Sequence, residues 1–376
     1  MPNSLQETSV ALGGIMHVGL VMECDYRQGR TQEQAFSEAF EIAECAEEHG
    51  VDGVWLAERH FATHRRPGDP MGAGIPSVVS VPLVWAGAIA ARTKKLRIGT
   101  GVSVLPLCHP IRLAEEAATV DQISQGRLDF GVGRSSFPRS YKGYGIPYEE
   151  SRERFQENLE IINQAWTSDR LTYEGKYYSF EDLCVMPQPY QKPHPPIRIA
   201  ATTPDTFSMI GKLGYPLVSS LRGLDVPDME GNVISYRDTL KEEGFAHPGS
   251  VYLRLPIYVG ETDKEGIGDP EEGTMKSFRR LAENYAQSTG AGGASEAEAR
   301  QQRYDKLANV TYEELLEDRL AYGSPDTVVQ KLRSIIDRLG LEGVIMEPNL
   351  GGTLSESQVL NSIRLYASEV APKLRN

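Results

Sequence analysis

The side chains best suited to catalysis follow an apolar segment that is predicted to be a β-strand. Glu58, Arg59 and His60 come directly after the segment 51–57, and His64 follows four positions after His60. Histidine exchanges a proton near neutral pH, so His60 is a candidate acid, base or hydrogen-bond donor to a reacting oxygen. Two histidines beside a glutamate could also hold a metal ion, but further ligands are not evident at other strand ends, and we predict no metal site.

A second strand exit carries a cation. Residues 126–135 read GRLDFGVGRS, which predicts a buried strand over 127–132, a tight turn at Gly133 and Arg134 at the exit. A strand that is apolar inside and basic at its carboxyl end is typical of parallel α/β sheets where they meet a ligand. When the decapeptide is taken alone, the alternative is a solvated arginine after a core strand.

Three further residues near predicted strand exits and helix starts are candidate ligands for a phosphate group. Arg152 begins the helix that follows, and Thr202 and Thr203 lie between a later strand and its helix. Two guanidinium groups supply positive charge, while hydroxyls and the free N–H groups of a helix start supply hydrogen-bond donors. We therefore expect Arg134, Arg152 and the threonine pair to bind one phosphate group, provided that the fold brings them to one edge.

The elements that must position these residues are short apolar segments that alternate with helical patterns. The eight predicted strands are residues 17–22, 51–57, 96–105, 127–132, 197–201, 217–221, 252–259 and 341–347. The predicted helices are residues 33–48, 77–92, 111–124, 151–166, 205–213, 229–243, 325–339 and 355–370, and residues 138–147 are predicted as a loop.

Eight strands without an antiparallel run, apart from a hairpin at residues 171–180, favour an α/β fold of the TIM (β/α)8 barrel type. A doubly wound open sheet is the alternative. The barrel is preferred because the strand count is eight and no glycine-rich dinucleotide turn follows the first strand. The sequence also has no P-loop and no GxSxG motif.

The chain is predicted to form an N-terminal tail over residues 1–15 and a single barrel domain over residues 16–372. The segment 261–310 is polar, includes GAGGASEAEAR and forms a long insertion after the seventh strand. In a parallel barrel such a loop lies on the catalytic face, so we predict a mobile lid; a disordered insertion is the alternative.

Composition limits the class of partner and the compartment. The 376 residues carry a formal net charge of -13, which argues against nucleic acids and anionic membrane surfaces as partners. No apolar run reaches the roughly 18 residues of a membrane helix, and the N-terminus lacks the basic start and apolar stretch of a signal peptide. The 4 cysteines are scattered without a CxxC pair, which indicates reduced thiols and predicts a cytoplasmic protein.

Five separated blocks of the sequence stand out together: VWLAERHF, KKLRIGTGVSVLPLCHP, DQISQGRLDFGVGRS, SRERFQENLEII and IRIAATTPDT. In this order, and over residues 16–372, they resemble the bacterial luciferase-like, flavin-dependent monooxygenases. Several blocks in one order are more specific than any single block. The resemblance implies a TIM barrel, a homodimer, and reduced FMN as the cofactor, supplied by a separate NAD(P)H:flavin reductase.

The resemblance also implies which residues surround the cofactor. It assigns Arg134 and Arg152 to the FMN phosphate, and it implies a non-prolyl cis peptide between Gly101 and Val102 that lies against the flavin ring. The whole implied cofactor-binding set is Glu58, Gly101, Val102, Arg134, Arg152, Ala201, Thr202 and Thr203.

Two positions depart from luciferase itself. The first of two adjacent histidines, the catalytic base there, is Arg59 here, and His60 matches the second. The reactive cysteine after the fourth strand is Gly133 here. These departures argue against light emission. Arg59 is a candidate for holding a flavin carbonyl, an anionic substrate or a surface carboxylate.

The resemblance implies a monooxygenase that uses reduced FMN and O2, through a C4a-peroxyflavin, to oxygenate a small organic substrate such as an aldehyde or ketone. His60 and Arg59 are the implied catalytic residues, with His60 stabilising or protonating the distal oxygen. Closure of the segment 261–310 would keep water out of the site. Three alternatives stay open: an oxidoreductase of the same fold that uses the deazaflavin F420, a flavin-binding protein without catalysis, and a metal-dependent barrel hydrolase.

Overall fold

The computed structural model describes residues 15–25, 29–61, 77–135, 137–288 and 294–375. The strands in these ranges are β1 (His17–Met22), β2 (Gly53–Leu56), β3 (Arg97–Thr100), β4 (Ser103–Val104), β5 (Leu128–Gly133), β6 (Leu171–Glu174), β7 (Ser179–Leu183), β8 (Ile197–Ala200), β9 (Leu217–Ser220), β10 (Val251–Val259), β11 (Ala321–Gly323) and β12 (Gly343–Glu347). The helices are α1 (Gln32–Glu48), α2 (Pro82–Arg92), α3 (Pro110–Ser124), α4 (Pro138–Tyr144), α5 (Ser151–Thr167), α6 (Pro204–Leu213), α7 (Val226–Glu242), α8 (Asp263–Gly268), α9 (Glu271–Ser288), α10 (Ala294–Ala308), α11 (Tyr312–Asp318), α12 (Pro325–Leu339), α13 (Glu356–Leu365) and α14 (Ala371–Leu374). His64 and residues 1–14 of the predicted tail lie outside the described residues.

Eight of the strands close a parallel barrel. Each is hydrogen-bonded to two neighbours in the circular order β1, β2, β3, β5, β8, β9, β10, β12 and back to β1. Because the carboxyl ends of parallel strands meet at one edge, the loops after these strands share one face of the molecule. The predicted α/β TIM-barrel fold is confirmed, the open sheet is wrong, and the predicted hairpin is present as β6 and β7.

The barrel strands are mostly apolar because both of their faces are buried, although a few buried charges, such as Asp129 in β5 and Arg198 in β8, interrupt them. Along β1, Val18 and Leu20 pack in the layer between the barrel and its helices, whereas Val21 packs inside the barrel with Trp55 and Tyr252. This alternation follows the period of two residues in a strand, and burial on both faces is expected of a parallel sheet covered by helices. No helix in the described ranges is long and apolar enough to cross a membrane.

Three local features differ from the sequence prediction. The predicted strand 96–105 is two strands, β3 and β4, with a cis peptide between Gly101 and Val102 at the break. The helix predicted from residue 77 begins at Pro82, since proline fits the first helical turn, where no N–H partner is needed. Part of the loop predicted over 138–147 is helix α4, which also begins with a proline.

The chain between β10 and β11 is helical in its described part and contacts the carboxyl edge of the barrel. Arg303 of α10 donates to the backbone carbonyl of Thr202, and Lys306 pairs with Asp225 at 3.3 Å and Asp228 at 2.6 Å. These contacts lay α10 over the exits of β8 and β9, the face on which a lid was expected. The mobility of this segment stays a prediction.

Candidate active site

The exit of β5 lies beside the exit of β8, because these two strands pair in parallel. Arg134 leaves β5 and reaches the first turn of α5, where its Nη1 donates to Oγ of Ser151 over 3.2 Å. Ser151 directly precedes Arg152, whose side chain is exposed at the start of the same helix. The structure therefore brings the exit of β5 to the segment that carries the second predicted arginine.

The predicted threonine pair precedes helix α6 at this edge. Thr203 occupies the N-cap position, and its Oγ1 lies 2.7 Å from Oγ1 of Thr206 instead of capping a backbone N–H. The start of α6 thus keeps N–H groups that the Thr203 side chain does not bind. Ala201 is buried, with its N–H and C=O both hydrogen-bonded to β9, so Thr202 and Thr203 supply the polar side chains here.

The cis peptide between Gly101 and Val102 is present at the same face of the barrel. The Gly101 N–H donates to the carbonyl of Leu56 over 2.6 Å, and Val102 packs against the hydrophobic cluster inside the barrel that includes Trp55. Directly after it, the buried Ser103 hydroxyl has no hydrogen-bond partner among the described residues. Buried polar atoms are normally bonded to protein, water or a ligand, so Ser103 is a candidate contact that the sequence prediction missed.

His60 is held by two polar partners after β2. Its Nε2 lies 2.7 Å from Oε1 of Glu58, and its Nδ1 lies 3.1 Å from the hydroxyl of Tyr144. The second Glu58 oxygen accepts the N–H of Val104 over 3.0 Å. Burial and the charge of Glu58 raise the pKa of Tyr144, so its O–H is available to donate to Nδ1 while an Nε2–H faces Glu58. With both carboxylate oxygens engaged, Glu58 positions His60, and its predicted contact with a cofactor stays a prediction.

Arg59 forms a paired hydrogen bond with Glu23, from Nε to Oε2 at 2.7 Å and from Nη2 to Oε1 at 2.8 Å. Arg254 bridges Glu23 and Glu347, and Arg222 lies 3.6 Å from Glu347. Although burial opposes ionisation, Arg59 and Arg254 hold the pKa of Glu23 well below its usual range. The Glu23 side chain is 10% exposed, so the carboxylate that Arg59 holds is buried rather than on the surface.

We call this set of five side chains the mouth network: Glu23, Arg59, Arg222, Arg254 and Glu347. The sequence prediction named only Arg59 among them. Glu23 and Arg222 directly follow predicted strands, and Glu347 ends one, which is the same signal that singled out His60 and Arg134. Arg254 lies within β10, where its charge inside an apolar strand was the available signal.

The prediction that no metal is bound concerned His60 and His64. His60 is bonded to Glu58 and Tyr144, whereas His64 lies outside the described residues. Within the part of the chain that the structure describes, no group of three or more His, Cys, Asp or Glu side chains could hold a metal ion.

Sequence comparison decides the family. The family described as luciferase-like monooxygenase matches residues 16–342. This chain belongs to the luciferase-like monooxygenase family.

Two relatives give the degree of similarity. The oxygenase component of the flavin-dependent trigonelline monooxygenase of Acinetobacter baylyi is 32% identical over 179 residues, which are 47% of this chain and 46% of that protein. The chain thus spans about half the length of that relative. The alkanal monooxygenase alpha chain of Photorhabdus luminescens is 24% identical over 347 residues, 89% of this chain and 90% of that one.

Solved structures share the barrel of this luciferase-like monooxygenase. The monooxygenase RslO1 from Streptomyces bottropensis has a TM-score of 0.76 and 25% identity, covering 95% of this chain and 99% of that chain. The FMN complex of the oxygenating constituent of 3,6-diketocamphane monooxygenase from Pseudomonas putida has a TM-score of 0.76 and 20% identity, covering 96% and 99%. The coenzyme F420 dependent tetrahydromethanopterin reductase from Methanopyrus kandleri has a TM-score of 0.69 and 19% identity, also covering 96% and 99%. The last two likenesses show the fold alone, so they do not choose between FMN and F420.

Proposed function

We propose that this luciferase-like monooxygenase binds reduced FMN and uses O2 to oxygenate a small organic substrate such as an aldehyde or ketone. The observation that carries the proposal is the contact between Arg134 and Ser151, which joins the exit of β5 to the start of α5 beside Arg152. Relatives named flavin-dependent trigonelline monooxygenase and alkanal monooxygenase support the reaction class.

The donors at the β5 and β8 exits fit the phosphate of FMN. Arg134 and Arg152 would supply two positive charges, and Thr202 and Thr203 would add hydroxyl donors beside the N–H groups of α6. A phosphate carries close to two negative charges at neutral pH, so two guanidinium groups and a helix start match it in sign and in donor count.

The flavin ring is proposed to lie against the Gly101–Val102 peptide. The buried Ser103 hydroxyl follows this peptide and would bond a polar edge of the ring. Ala201 keeps the exit of β8 attached to β9 through its backbone bonds, so its proposed part is to support the threonines beside it.

When bound, reduced FMN supplies the electron pair that activates dioxygen. His60 is held by Glu58 at Nε2, and from a protonated Nδ1 it would donate a proton or a hydrogen bond to an oxygen atom beside the ring once that atom takes the place of the Tyr144 hydroxyl. Phe61, Phe137 and Tyr144 are 50%, 37% and 48% exposed around this position, so a substrate that covers them would also exclude water.

Two partners belong to the proposal. A separate NAD(P)H:flavin reductase would supply reduced FMN, since one relative is named the oxygenase component of its enzyme and this sequence has no dinucleotide-binding turn. A second copy of the chain would form a homodimer. Val81, Val84 and Ile123, at the neighbouring helices α2 and α3, are 54%, 69% and 50% exposed, and a partner would cover these apolar side chains.

The reaction of bound reduced FMN with oxygen tests the proposed function. Reduced FMN is prepared without oxygen, with and without the protein, and is then mixed with oxygenated buffer while hydrogen peroxide is measured. We expect the protein to slow peroxide release relative to free reduced FMN, and a true substrate to replace peroxide by an oxygenated product. Peroxide release at the rate of free reduced FMN, from protein that binds FMN tightly, would indicate a flavin-binding protein without catalysis.

F420 is the second candidate cofactor, favoured by the shared barrel of the F420-dependent reductase. An enzyme of that kind transfers a hydride and does not need oxygen. Oxidation of reduced F420 by a ketone under nitrogen, together with unchanged behaviour of reduced FMN, would favour this rival over the monooxygenase.

A further inference from the structure

We propose that the mouth network is an anion subsite, which holds the carboxylate or sulfonate of the substrate. The inference rests on the proposed function for the reacting part of the site, but it concerns different side chains. Glu23 and Arg222 follow β1 and β9, Glu347 ends β12, and Arg254 pairs in register with Ser220, the last residue of β9. The network therefore lies at the carboxyl edge of the barrel, where the strand exits also present His60.

The mouth network carries a surplus positive charge. It contains three guanidinium groups and two carboxylates, so its described side chains sum to +1. Glu23 accepts two hydrogen bonds from Arg59 and one from Arg254, and Glu347 accepts two from Arg254. Two of the arginines thus suffice to neutralise both carboxylates.

Arg222 is the additional cation. Its Nη1 lies 3.6 Å from Oε1 of Glu347, too far for a hydrogen bond, and its Nη2 donates to Oγ of Ser277 in α9 over 2.8 Å. Burial lowers the pKa of Arg222 in spite of the attraction of Glu347. Burying a third cation destabilises the free protein, and a bound anion would offset that effect. The Arg222 guanidinium, which donates one side-chain hydrogen bond to Ser277 among the described residues, is suited to carboxylate and sulfonate oxygens, which accept two hydrogen bonds at once.

The mouth network lies close to His60, so an anion bound there would place the rest of the substrate near the proposed reacting site. Arg59 directly precedes His60, and its guanidinium lies 5.6 Å from the centre of the Phe137 ring. The rings of Phe61 and Tyr144 are 5.9 Å apart, and the ring of Tyr144 is 4.9 Å from His60. A compact substrate with its anion on the mouth network would lie along these aromatic rings, with its uncharged part beside His60. The substrate class is therefore a small organic carboxylate or sulfonate with an apolar body.

A pair of probes that differ in charge but hardly in shape tests the subsite. Benzoate and neutral benzamide are titrated by calorimetry into protein saturated with FMN, so that the proposed phosphate site is filled. We expect benzoate to bind at least about tenfold more tightly, which is the usual effect of a charge-assisted hydrogen bond. Arg222→Gln should abolish this preference. Arg338→Gln is the matched control, because this arginine pairs with Glu230 on the surface and should leave the preference unchanged.

Several outcomes would overturn the subsite. Equal binding of the two probes by the wild type, or a preference that survives in Arg222→Gln, contradicts it directly. A preference that Arg134→Ala removes and Arg222→Gln keeps would assign the anion to the proposed phosphate site instead. If Arg222→Gln does not fold, Arg222→Met keeps the apolar stem without the charge and carries the same comparison.

Failure of the subsite and failure of the proposed function are distinguishable. If FMN does not bind, the titrations are run in inorganic phosphate, and a benzoate preference that depends on Arg222 then supports the subsite alone. If FMN binds and slows peroxide release but the probes bind equally, the proposed function stands and the anion subsite does not.

Discussion

The Nε2 atom of His60 lies 2.7 Å from Oε1 of Glu58, while the other Glu58 oxygen accepts the N–H of Val104. Val104 is two residues after Val102, the second residue of the cis peptide. A single buried carboxylate therefore ties the imidazole after β2 to the backbone that follows the break in the third barrel strand. In the proposed complex, this carboxylate sets the position of the proton donor relative to the flavin ring.

Replacing Glu58 with glutamine should loosen this connection. A carboxamide has one oxygen acceptor, so either His60 or the Val104 N–H would face an NH2 group. We expect protein-bound reduced FMN to release hydrogen peroxide about tenfold faster, because the imidazole loses the charge-assisted hydrogen bond that orients it. Stopped-flow peroxide detection measures the rate, with Glu116→Gln as the control, since Glu116 pairs with Arg112 on the surface. An unchanged rate with intact FMN binding would contradict the positioning role.

Arg134→Ala should weaken FMN binding by roughly 10- to 100-fold, because a hydrogen bond to a charged group contributes about 1.5–3 kcal/mol. Quenching of FMN fluorescence measures the affinity. Riboflavin lacks the phosphate, so it should bind the variant and the wild type alike. Arg112→Ala is the control, since its side chain is 74% exposed and pairs only locally with Glu116. If Arg134→Ala bound FMN as tightly as the wild type, the phosphate assignment would fail.

The barrel could be predicted from sequence because its strands show a simple pattern. β1 and α12 have the predicted bounds, His17–Met22 and Pro325–Leu339. A strand buried on both faces is apolar at most positions, and short apolar segments separated by amphipathic helices favour a closed parallel sheet. The positions of Arg134 and His60 at strand exits follow from the same pattern.

The partners of the exit residues could not be predicted in this way. Glu23 and Arg59 are 36 positions apart, and Arg254 reaches Glu23 across 231 positions. These pairs form because β1 lies between β2 and β12, with β10 next, and that closure is a property of the whole chain. The cis peptide was expected only through the family resemblance, since glycine followed by valine has no local signal for it.

Strands β3 and β5 approach so closely at Gly131 that an added methyl group there should destabilise the fold. The Thr100 hydroxyl donates to the Gly131 carbonyl over 2.6 Å, and a Cβ on Gly131 would overlap the backbone carbonyl oxygen of Thr100. Because that oxygen belongs to β3, a strand must move to accept the methyl group. We expect Gly131→Ala to lower the free energy of unfolding by about 1–3 kcal/mol, measured by urea denaturation.

Gly87→Ala is the matched control for this substitution. Gly87 lies in α2, where a Cβ would meet no atom within 4 Å. Alanine favours the helix over glycine by up to about 1 kcal/mol, so this variant should be as stable as the wild type or more stable. Equal stability of Gly131→Ala and the wild type would show that β3 and β5 can separate without loss.

His17 should make the stability of the barrel depend on pH. Burial at the amino end of the barrel lowers the pKa of His17 from 6.5 to about 4. Trp55 donates its Nε1–H to Nε2 of His17 over 3.2 Å, and this bond requires that Nε2 carry no proton. As the pH falls from 6.5 towards 4, the unfolded chain takes up a proton that the folded protein does not. The free energy of unfolding therefore decreases across this window, by about 3 kcal/mol in total and about 2 kcal/mol by pH 5.

His17→Gln separates this effect from the other titrating groups. A glutamine oxygen can accept the Trp55 N–H and does not titrate, so the variant keeps the hydrogen bond without the pH dependence. Unfolding free energies of both proteins are measured by urea denaturation at pH 8 and pH 5. The wild type should lose about 2 kcal/mol more than the variant between these two values, since only the wild-type unfolded chain gains the imidazole proton. The prediction fails if the difference in unfolding free energy between the two proteins stays constant from pH 8 to pH 5. Folded His17 would then take up its proton as readily as the unfolded chain, and the contact with Trp55 would not hold it neutral.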